Sequence, residues 1–98
     1  MEIPLAARPR LAPKARIRHD RLEGADVLLY PERGLRLNAV GSAVARRCDG
    51  TRNVGAIVDE IAASFLEVSR ERVEGDVIGF LTKLAERGLL EGLDAREP

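Results

Sequence analysis

The sequence offers one cysteine and one histidine for a nucleophile and general base pair, Cys48 and His19. They fall in different predicted elements, and no oxyanion-binding motif accompanies them. A single cysteine cannot form an intramolecular disulfide, and a structural zinc site needs more Cys or His ligands than the chain has. We therefore predict a binding protein rather than an enzyme, with no catalytic residue, metal or cofactor.

The charged side chains balance over the whole chain but not along it. Lys and Arg number 16, and Asp and Glu also number 16, so no net field attracts nucleic acid or an anionic membrane. Residues 1–22 nevertheless hold six basic groups against Glu2 and Asp20, whereas residues 54–98 hold five basic and ten acidic groups. The asymmetry is either a chance feature of a solvated surface or a polarised surface that orients partners.

Length and composition predict one small domain between two tails. Pro4, Pro9 and Pro13 predict a flexible, extended arm over residues 1–13, followed by a domain over 14–91 and a frayed tail over 92–98. A domain of this size buries only ~60% of its unfolded surface, which leaves little stability for a deep cavity. The chain has neither the apolar core of a secretory signal nor a run of ~20 apolar residues, so we expect a cytoplasmic protein without membrane contact.

The sheet is predicted from three short segments with the alternation typical of strands, at residues 15–19, 26–30 and 35–38. Pro31 suits the first corner of a type I turn and Gly34 can take a positive φ, so the second and third strands should form a hairpin. The second strand is apolar on both sides, with Val27 and Leu29 on one of them. Both faces of the sheet are therefore expected to be covered.

Three helices follow, each with a polar N-cap candidate that can accept a hydrogen bond from a free helix amide. The candidates are Asn38 for a helix over residues 39–47, Asn53 or Thr51 for the second helix, and Ser69 for the third. The apolar residues of the third helix recur at helical spacing, at Val73, Val77, Phe80, Leu81 and Leu84. Together the elements predict an α+β fold, winged-helix-like, with a three-stranded antiparallel sheet followed by a three-helix bundle.

A winged-helix fold raises the alternative of a DNA-binding regulator that reads DNA with its third helix. Such a helix should be cationic, because phosphate neutralisation supplies most of the affinity. The third helix instead balances Arg70, Arg72, Lys83 and Arg87 against Glu71, Glu74, Asp76 and Glu86. We therefore predict that the protein has no nucleic-acid partner.

The order and spacing of three segments carry a resemblance to a known family. LLYPERGLRLN, the CDGT corner that begins at Cys48, and the helix VGAIVDEIAASF resemble the PqqD family, small peptide chaperones of pyrroloquinoline quinone biosynthesis, over Leu11 to Leu90. The resemblance implies a domain that holds the ribosomal precursor peptide PqqA and presents it to PqqE, a radical SAM enzyme that crosslinks the peptide. Two other functions remain open: the DNA-binding regulator, and a carrier of the quinone product whose carboxylates would meet the N-terminal arginines.

The resemblance also implies where a peptide binds, since in related leader-peptide recognition domains the guest strand lies between the third strand and the third helix. The edge of a strand has unpaired N–H and C=O groups to which an extended peptide can add. One wall of this peptide-binding site would be Leu35, Arg36, Leu37 and Asn38, and the other Asp76, Val77, Phe80, Leu81, Lys83 and Leu84. The alternative for at least two of the apolar helix residues is that they belong to the core.

Two glycines interrupt the third helix. Gly75 and Gly79 lie four residues apart, and each costs ~1 kcal/mol relative to Ala inside a helix. With Ile78 and Thr82 they are predicted to form a second surface, separate from the peptide groove, for a partner enzyme or for a second copy in a homodimer. The alternative is a solvated helix face that tolerates glycine.

Overall fold

The computed structural model describes residues 2–93, in which a three-stranded antiparallel sheet precedes three helices and a separate two-stranded sheet pairs residues 10–11 with 90–91. The elements are β1 (Arg10–Leu11), β2 (Arg16–Asp20), β3 (Ala25–Tyr30), β4 (Arg33–Arg36), α1 (Ala39–Arg46), α2 (Val54–Ser64), α3 (Arg70–Glu86) and β5 (Leu90–Glu91). This is the predicted α+β class, with the β1–β5 pair as an unpredicted addition. None of the three helices is both long and apolar enough to cross a membrane.

The larger sheet is a meander in which β3 is the central strand. Ile17, Leu28 and Leu35 lie opposite one another across the three strands. Leu28 is fully buried, because this inner face packs on the helices. Both β2 and β4 are therefore edge strands of this sheet, and the chain passes from β4 directly into α1.

The turn between β3 and β4 differs from the prediction. Pro31 and Glu32 are the only residues between the paired strand ends, and Glu32, rather than Gly34, has the positive φ of 62°. Gly34 lies within β4, where an added Cβ would come within 3.3 Å of Val27 Cγ1. The glycine thus relieves crowding between neighbouring strands instead of closing the turn.

The outer face of the sheet is left open, although both faces were predicted to be covered. Val27 and Leu29 on this face are partly exposed, and their cross-strand neighbours are the exposed Arg18 and Arg16. The reason is that the three helices form a single layer, and this layer packs only on the face that carries Leu28.

The N-cap predictions are confirmed for all three helices. Asn38 Oδ1 accepts a hydrogen bond from Gly41 N–H (2.7 Å), Asn53 Oδ1 from Ala56 N–H (2.7 Å) and Ser69 Oγ from Arg72 N–H (3.2 Å). Thr51, the alternative cap for α2, bonds to Asp49 instead. Each cap satisfies an amide that would otherwise lack a partner in the first helical turn.

Two apolar clusters hold the layers together. The first lies among the helices and includes Val44, Ile57, Ile61, Val77 and Leu81, and the second joins the sheet to α1 and α3 through Leu28, Leu37, Ala45, Leu84 and Leu89. The buried side of α1 consists of Gly41, Val44 and Ala45. The buried residues of α1 are therefore small, and Ala45 packs in the same cluster as Leu28 of the sheet.

The N-terminal segment, predicted to be a flexible arm, packs on the helices. Ile3, Ala7 and Pro9 are buried. The carbonyl of Ala7 accepts a hydrogen bond from Val54 N–H (2.9 Å), which lies in the first turn of α2, where helix amides have no intrahelical partner. The prolines extend the segment, but the free amides of α2 and the pairing of β1 with β5 hold it in place. The predicted tail begins at residue 92, and the carbonyl of Gly92 accepts a hydrogen bond from Arg8 N–H. Residues 94–98 of this tail lie outside the described residues.

Candidate functional site

The outer edge of β4 has backbone groups that no described strand pairs. Leu37 N–H donates to the carbonyl of Asp26 in β3 (2.9 Å), so Leu37 directs its backbone groups inward. Successive residues of a strand direct these groups to opposite sides, and Gly34 and Arg36 therefore direct theirs to the open edge. This edge can accept one more antiparallel or parallel strand.

A groove lies between the start of α1 and one side of α3, and it includes Asn38, two residues after the end of β4. Its cavity volume is about 450 Å³, and its lining consists of Asn38, Val40, Gly41, Arg72, Gly75, Asp76, Gly79, Phe80 and Lys83. A second depression of about 340 Å³ continues it along α3 to Val68 and Ser69, sharing Arg72 and Asp76. From Ser69 to Lys83 the helix rises by ~21 Å at ~1.5 Å per residue, which is the length of about six residues of extended peptide.

The structure brings together part of the predicted peptide-binding set. Arg36, Asn38, Asp76 and Lys83 are exposed, and Leu35 and Phe80 are partly exposed. Asn38, Asp76, Phe80 and Lys83 line the groove itself.

Four of the predicted wall residues belong to the core instead. Leu37 is only 4% exposed, and Val77, Leu81 and Leu84 are 0% exposed, so none of them can contact a guest peptide. On α3 the buried side is centred on the row Val73, Val77, Leu81 and Leu84, and Phe80 lies at its border, where it packs against both clusters and still reaches the groove. The prediction that at least two of these apolar residues are core is confirmed.

The glycines of α3 line the same groove rather than a separate surface. A Cβ added at Gly75 or Gly79 would have no neighbouring atom within 4 Å, so both positions are open. Ile78 instead packs against the helical cluster, and Thr82 Oγ1 donates to the Ile78 carbonyl (2.8 Å). The predicted partner surface is therefore divided: its two glycines line the groove between α1 and α3, and Ile78 and Thr82 lie outside that groove.

Three groove residues were missed by the sequence predictions, namely Val40, Gly41 and Arg72. Gly41 matters most, because a Cβ there would lie 3.1 Å from Asn38 Oδ1 and 3.2 Å from Phe80 Cε1. The absence of a side chain lets the Phe80 ring pack against α1 and form the floor of the groove. A glycine within the first turn of a helix is the signal that could have indicated this close approach.

A polar cluster ties the sheet to α1 near this site. Asp26, only 8% exposed, accepts hydrogen bonds from Ser42 Oγ and from Arg46 Nε (2.9 Å), and pairs with His19 Nδ1 at 2.9 Å. The Ser42 hydrogen bond, with those of His19 and Arg46, lowers the pKa of Asp26 to about 2. The Ser42 hydroxyl donates to the carboxylate and not to the imidazole, and a carboxylate with so low a pKa is a weak general base.

The lowered pKa of Asp26 predicts a loss of stability in acid. Because this pKa falls from 3.8 to about 2 on folding, the contribution of Asp26 is complete above pH 3.8 and is lost as the pH falls towards 2. We expect Asp26→Asn to be less stable than the native chain at neutral pH, with a difference that shrinks below pH 4. Urea unfolding at a series of pH values measures this, and a constant difference across the series would contradict it.

Cys48 is a structural residue. It is buried, and its Sγ donates to the Val44 carbonyl (3.2 Å). Burial, with a smaller effect of Asp49, raises the pKa of the thiol to about 12, so the reactive thiolate does not form near neutral pH. Residues 2–93 also contain no group of three or more His, Cys, Asp or Glu side chains that could hold a metal ion.

The fold and the site define a class: a winged-helix-like α+β domain with a free sheet edge beside a helical groove. The family model described as coenzyme PQQ synthesis protein D (PqqD) matches residues 27–90. A relative named PqqA binding protein, from Rhodopseudomonas palustris strain BisB5, is 36% identical over 92 residues, covering 94% of this chain and 87% of the relative. The chain belongs to the PqqD family, as its sequence motifs indicated.

Two solved structures agree with this assignment. The solution structure of the PqqD truncation of Methylobacterium extorquens PqqCD, described as a stand-alone recognition element, has a TM-score of 0.72 and 31% identity, covering 85% of this chain and 87% of that one. TbiB1 in complex with the TbiA(beta) leader peptide also has a TM-score of 0.72 and 31% identity, covering 87% of this chain and 98% of that one. The α+β fold predicted from sequence is thus confirmed by homologous structures.

Proposed function

We propose that this protein binds the precursor peptide PqqA as an added strand on β4 and presents it to the radical SAM enzyme PqqE. The observation that carries the proposal is the free edge at Gly34 and Arg36, followed two residues later by Asn38 in the groove of α1 and α3. The names of the relatives and the leader-peptide complex of a structural neighbour support a peptide as the ligand. This protein has a binding role in the proposal and performs no chemistry itself.

An added strand would be recognised by two kinds of contact. Its backbone would pair with the N–H and C=O groups of Gly34 and Arg36, which is largely independent of sequence. Its side chains alternate between two sides, so every second one would enter the groove over Phe80 and Val40. Sequence preference would therefore come from apolar side chains of the peptide that fill this floor.

Charged side chains at the rim of the groove would favour peptides of complementary charge. Lys83 is exposed at one end, whereas Arg72 Nε lies 3.6 Å from Asp76 Oδ2 and is partly neutralised. An acidic peptide residue next to the apolar ones would therefore meet Lys83 without a competing partner among the described residues. At an exposed site such a pair contributes about 0.2–1 kcal/mol, so it would orient the peptide more than hold it.

Presentation to the enzyme is a positional mechanism. A peptide held by a domain that also binds the enzyme reaches the active site at an effective concentration set by the tether, which is mM for a short flexible link. The rate of modification would therefore rise at low peptide concentration without a new catalytic group.

A reducing, cytoplasmic location is consistent with the free thiol of Cys48.

An amide chemical-shift titration with synthetic PqqA tests the peptide site. We expect shifts along Gly34–Asn38 and along the groove side of α3, together with new intermolecular contacts from the peptide backbone to Arg36. A peptide of the same composition in scrambled order is the control. Changes confined to α2 would reject the β4 edge as the site.

Phe80→Ala and Leu81→Ala should separate folding from binding. Leu81 is fully buried, so its truncation should lower the free energy of unfolding by about 2–5 kcal/mol. Phe80 is partly exposed and should cost less stability, but peptide affinity should fall at least tenfold because the groove loses its floor. Urea unfolding and peptide titration measure the two effects. Equal destabilisation with unchanged affinity in the Phe80 variant would show that this ring serves only the core.

The two alternative functions have less support. In α3, Arg70 pairs with Asp59 and Arg72 lies near Asp76, so two of its cations face carboxylates instead of being free for phosphates. Among the N-terminal arginines proposed for a quinone carrier, Arg10 pairs with Glu91. Tight, salt-sensitive retardation of duplex DNA in a gel-shift assay would restore the regulator as the first candidate.

A further inference from the structure

Asp26 connects the elements that border the peptide site. Its carbonyl accepts a hydrogen bond from Leu37 N–H (2.9 Å), one residue after the end of β4. Its carboxylate accepts hydrogen bonds from Ser42 and Arg46 of α1, and pairs with His19 of β2. One residue of the central strand is thus bonded to β2, to the chain that leaves β4, and to α1.

Apolar packing gives α1 little hold on the sheet. Of its three buried residues, Gly41, Val44 and Ala45, only Ala45 belongs to the cluster that contains Leu28. A single methyl group buries little surface, and hydrophobic contact is non-directional. The orientation of α1 on the sheet therefore depends largely on the hydrogen bonds of Asp26.

These hydrogen bonds are directional and involve a charged acceptor. Arg46 Nε and Nη2 lie 2.9 and 2.8 Å from Asp26 Oδ2. The Ser42 hydrogen bond, with those of His19 and Arg46, lowers the pKa of Asp26 to about 2, so the carboxylate is ionised at neutral pH. Hydrogen bonds to an ionised group are roughly twice as strong as neutral ones.

A short chain of contacts leads from Asp26 to the groove. Ser42 N–H donates to the carbonyl of Asn38 (2.8 Å), and Asn38 Oδ1 accepts from Gly41 N–H (2.7 Å). Asn38 and Gly41 line the groove, and a Cβ at Gly41 would lie 3.2 Å from Phe80 Cε1. A displacement of α1 at Ser42 would therefore move one side of the groove relative to Phe80.

We propose that Asp26 is a positioning residue that fixes the orientation of α1, and with it the width of the groove, relative to the free edge of β4. The inference rests on the proposed function, in which one extended peptide uses the edge and the groove together. Both carboxylate oxygens of Asp26 are bonded within the protein, so it acts through α1 and not by contact with the peptide.

The test compares changes to this cluster with a change to the core elsewhere. Asp26→Asn removes the charge, Ser42→Ala removes one donor, and Ser42→Thr keeps the hydroxyl. Ile57→Val is the control, because Ile57 is fully buried in α2 and its truncation lowers stability without touching the cluster or the groove lining. Residual dipolar couplings of the free proteins measure the orientation of α1 relative to β3 and β4. Titration with synthetic PqqA measures affinity, at temperatures where circular dichroism shows each variant to be folded.

We expect Asp26→Asn and Ser42→Ala to change the couplings of α1 and to lose at least about tenfold in affinity for PqqA. Ser42→Thr and Ile57→Val should stay close to the native chain in both measurements. The double variant Asp26→Asn/Ser42→Ala should bind no more weakly than Asp26→Asn alone, because the two changes remove one shared hydrogen bond.

Either native affinity or unchanged couplings in Asp26→Asn would overturn the proposal. An equal loss of affinity in Ile57→Val would overturn it as well, because affinity would then follow stability and not the orientation of α1. Absence of PqqA binding by the native chain would instead overturn the proposed function, and the couplings of the free variants would still decide whether Asp26 positions α1.

Discussion

Arg36→Pro is expected to abolish strand addition while the domain stays folded. The backbone N–H of Arg36 faces the open edge of β4 and has no described partner, so its removal costs the free protein no ladder hydrogen bond. Proline is tolerated on edge strands for this reason. A guest strand, however, would lose a central hydrogen bond and meet the pyrrolidine ring. We expect PqqA affinity to fall at least tenfold, which corresponds to about 1.4 kcal/mol.

Two controls isolate the backbone effect of this proline. Arg36→Ala keeps the N–H and removes only the side chain, whose guanidinium pairs with Glu23 in the free protein at 3.0 Å. Its affinity for the peptide should stay close to native. Leu35→Pro places the ring on the side bonded to β3 and should lower the melting temperature. If Arg36→Ala and Arg36→Pro bind equally well, the peptide does not add to this edge.

A side chain placed at a glycine of the groove should keep or raise the stability of the domain and lower its affinity for the peptide. Gly79→Leu removes a residue that costs a helix ~1 kcal/mol, and the position has open space around it, so thermal stability should stay equal or rise. The new side chain would occupy the groove over Phe80 and Asp76. We expect at least a tenfold loss of peptide affinity, measured by titration beside a melting curve.

A size series and a second site make this prediction specific. Gly79→Ala should give the gain in stability with a smaller loss of affinity, and Gly75→Leu should resemble Gly79→Leu because both glycines line the groove. Glu74→Leu, which adds an apolar side chain to α3 outside the groove lining, should bind normally. Native affinity in both leucine variants at Gly75 and Gly79 would show that the guest peptide does not use this side of α3.

Local signals predicted the boundaries of the elements well. Asn38, Asn53 and Ser69 cap their helices because a cap needs only a side-chain oxygen and the amide three residues later. The edge position of β4 also follows from chain order alone, since a short meander leaves its last strand without a further neighbour. Each of these features depends on residues that are close in sequence.

The two walls of the site were harder to separate from the core. Val77, Phe80, Leu81 and Leu84 form one apolar stripe, and helical spacing indicates the stripe but not which of its borders remains open. That border is set by α1, because the absence of a Cβ at Gly41 leaves room for the Phe80 ring beside this helix. The prediction for Gly75 and Gly79 assumed the same orientation of α3 about its axis. Their separation from the groove was therefore wrong as well.

The N-terminal segment shows a different limit. Three prolines indicate an extended chain, but not whether a surface is available to receive it. Here the free amides of α2 donate hydrogen bonds to carbonyls of the segment, and the position of these amides is known only once the helix packs in the fold. The same applies to β1, whose two residues carry no strand signal until β5 lies beside them.

The pairing of β1 with β5 has a consequence for synthesis of the chain. Arg10 lies opposite Glu91, so during translation β1 waits for a strand that is made only after the three helices. Contacts of such wide separation form late, because loop closure must precede them. Helix α2 would accordingly emerge with the amides of its first turn unsatisfied by a docked arm. Nascent chains that stop before Leu90 should be open to proteolysis around β1, and completion of β5 is the event that protects them.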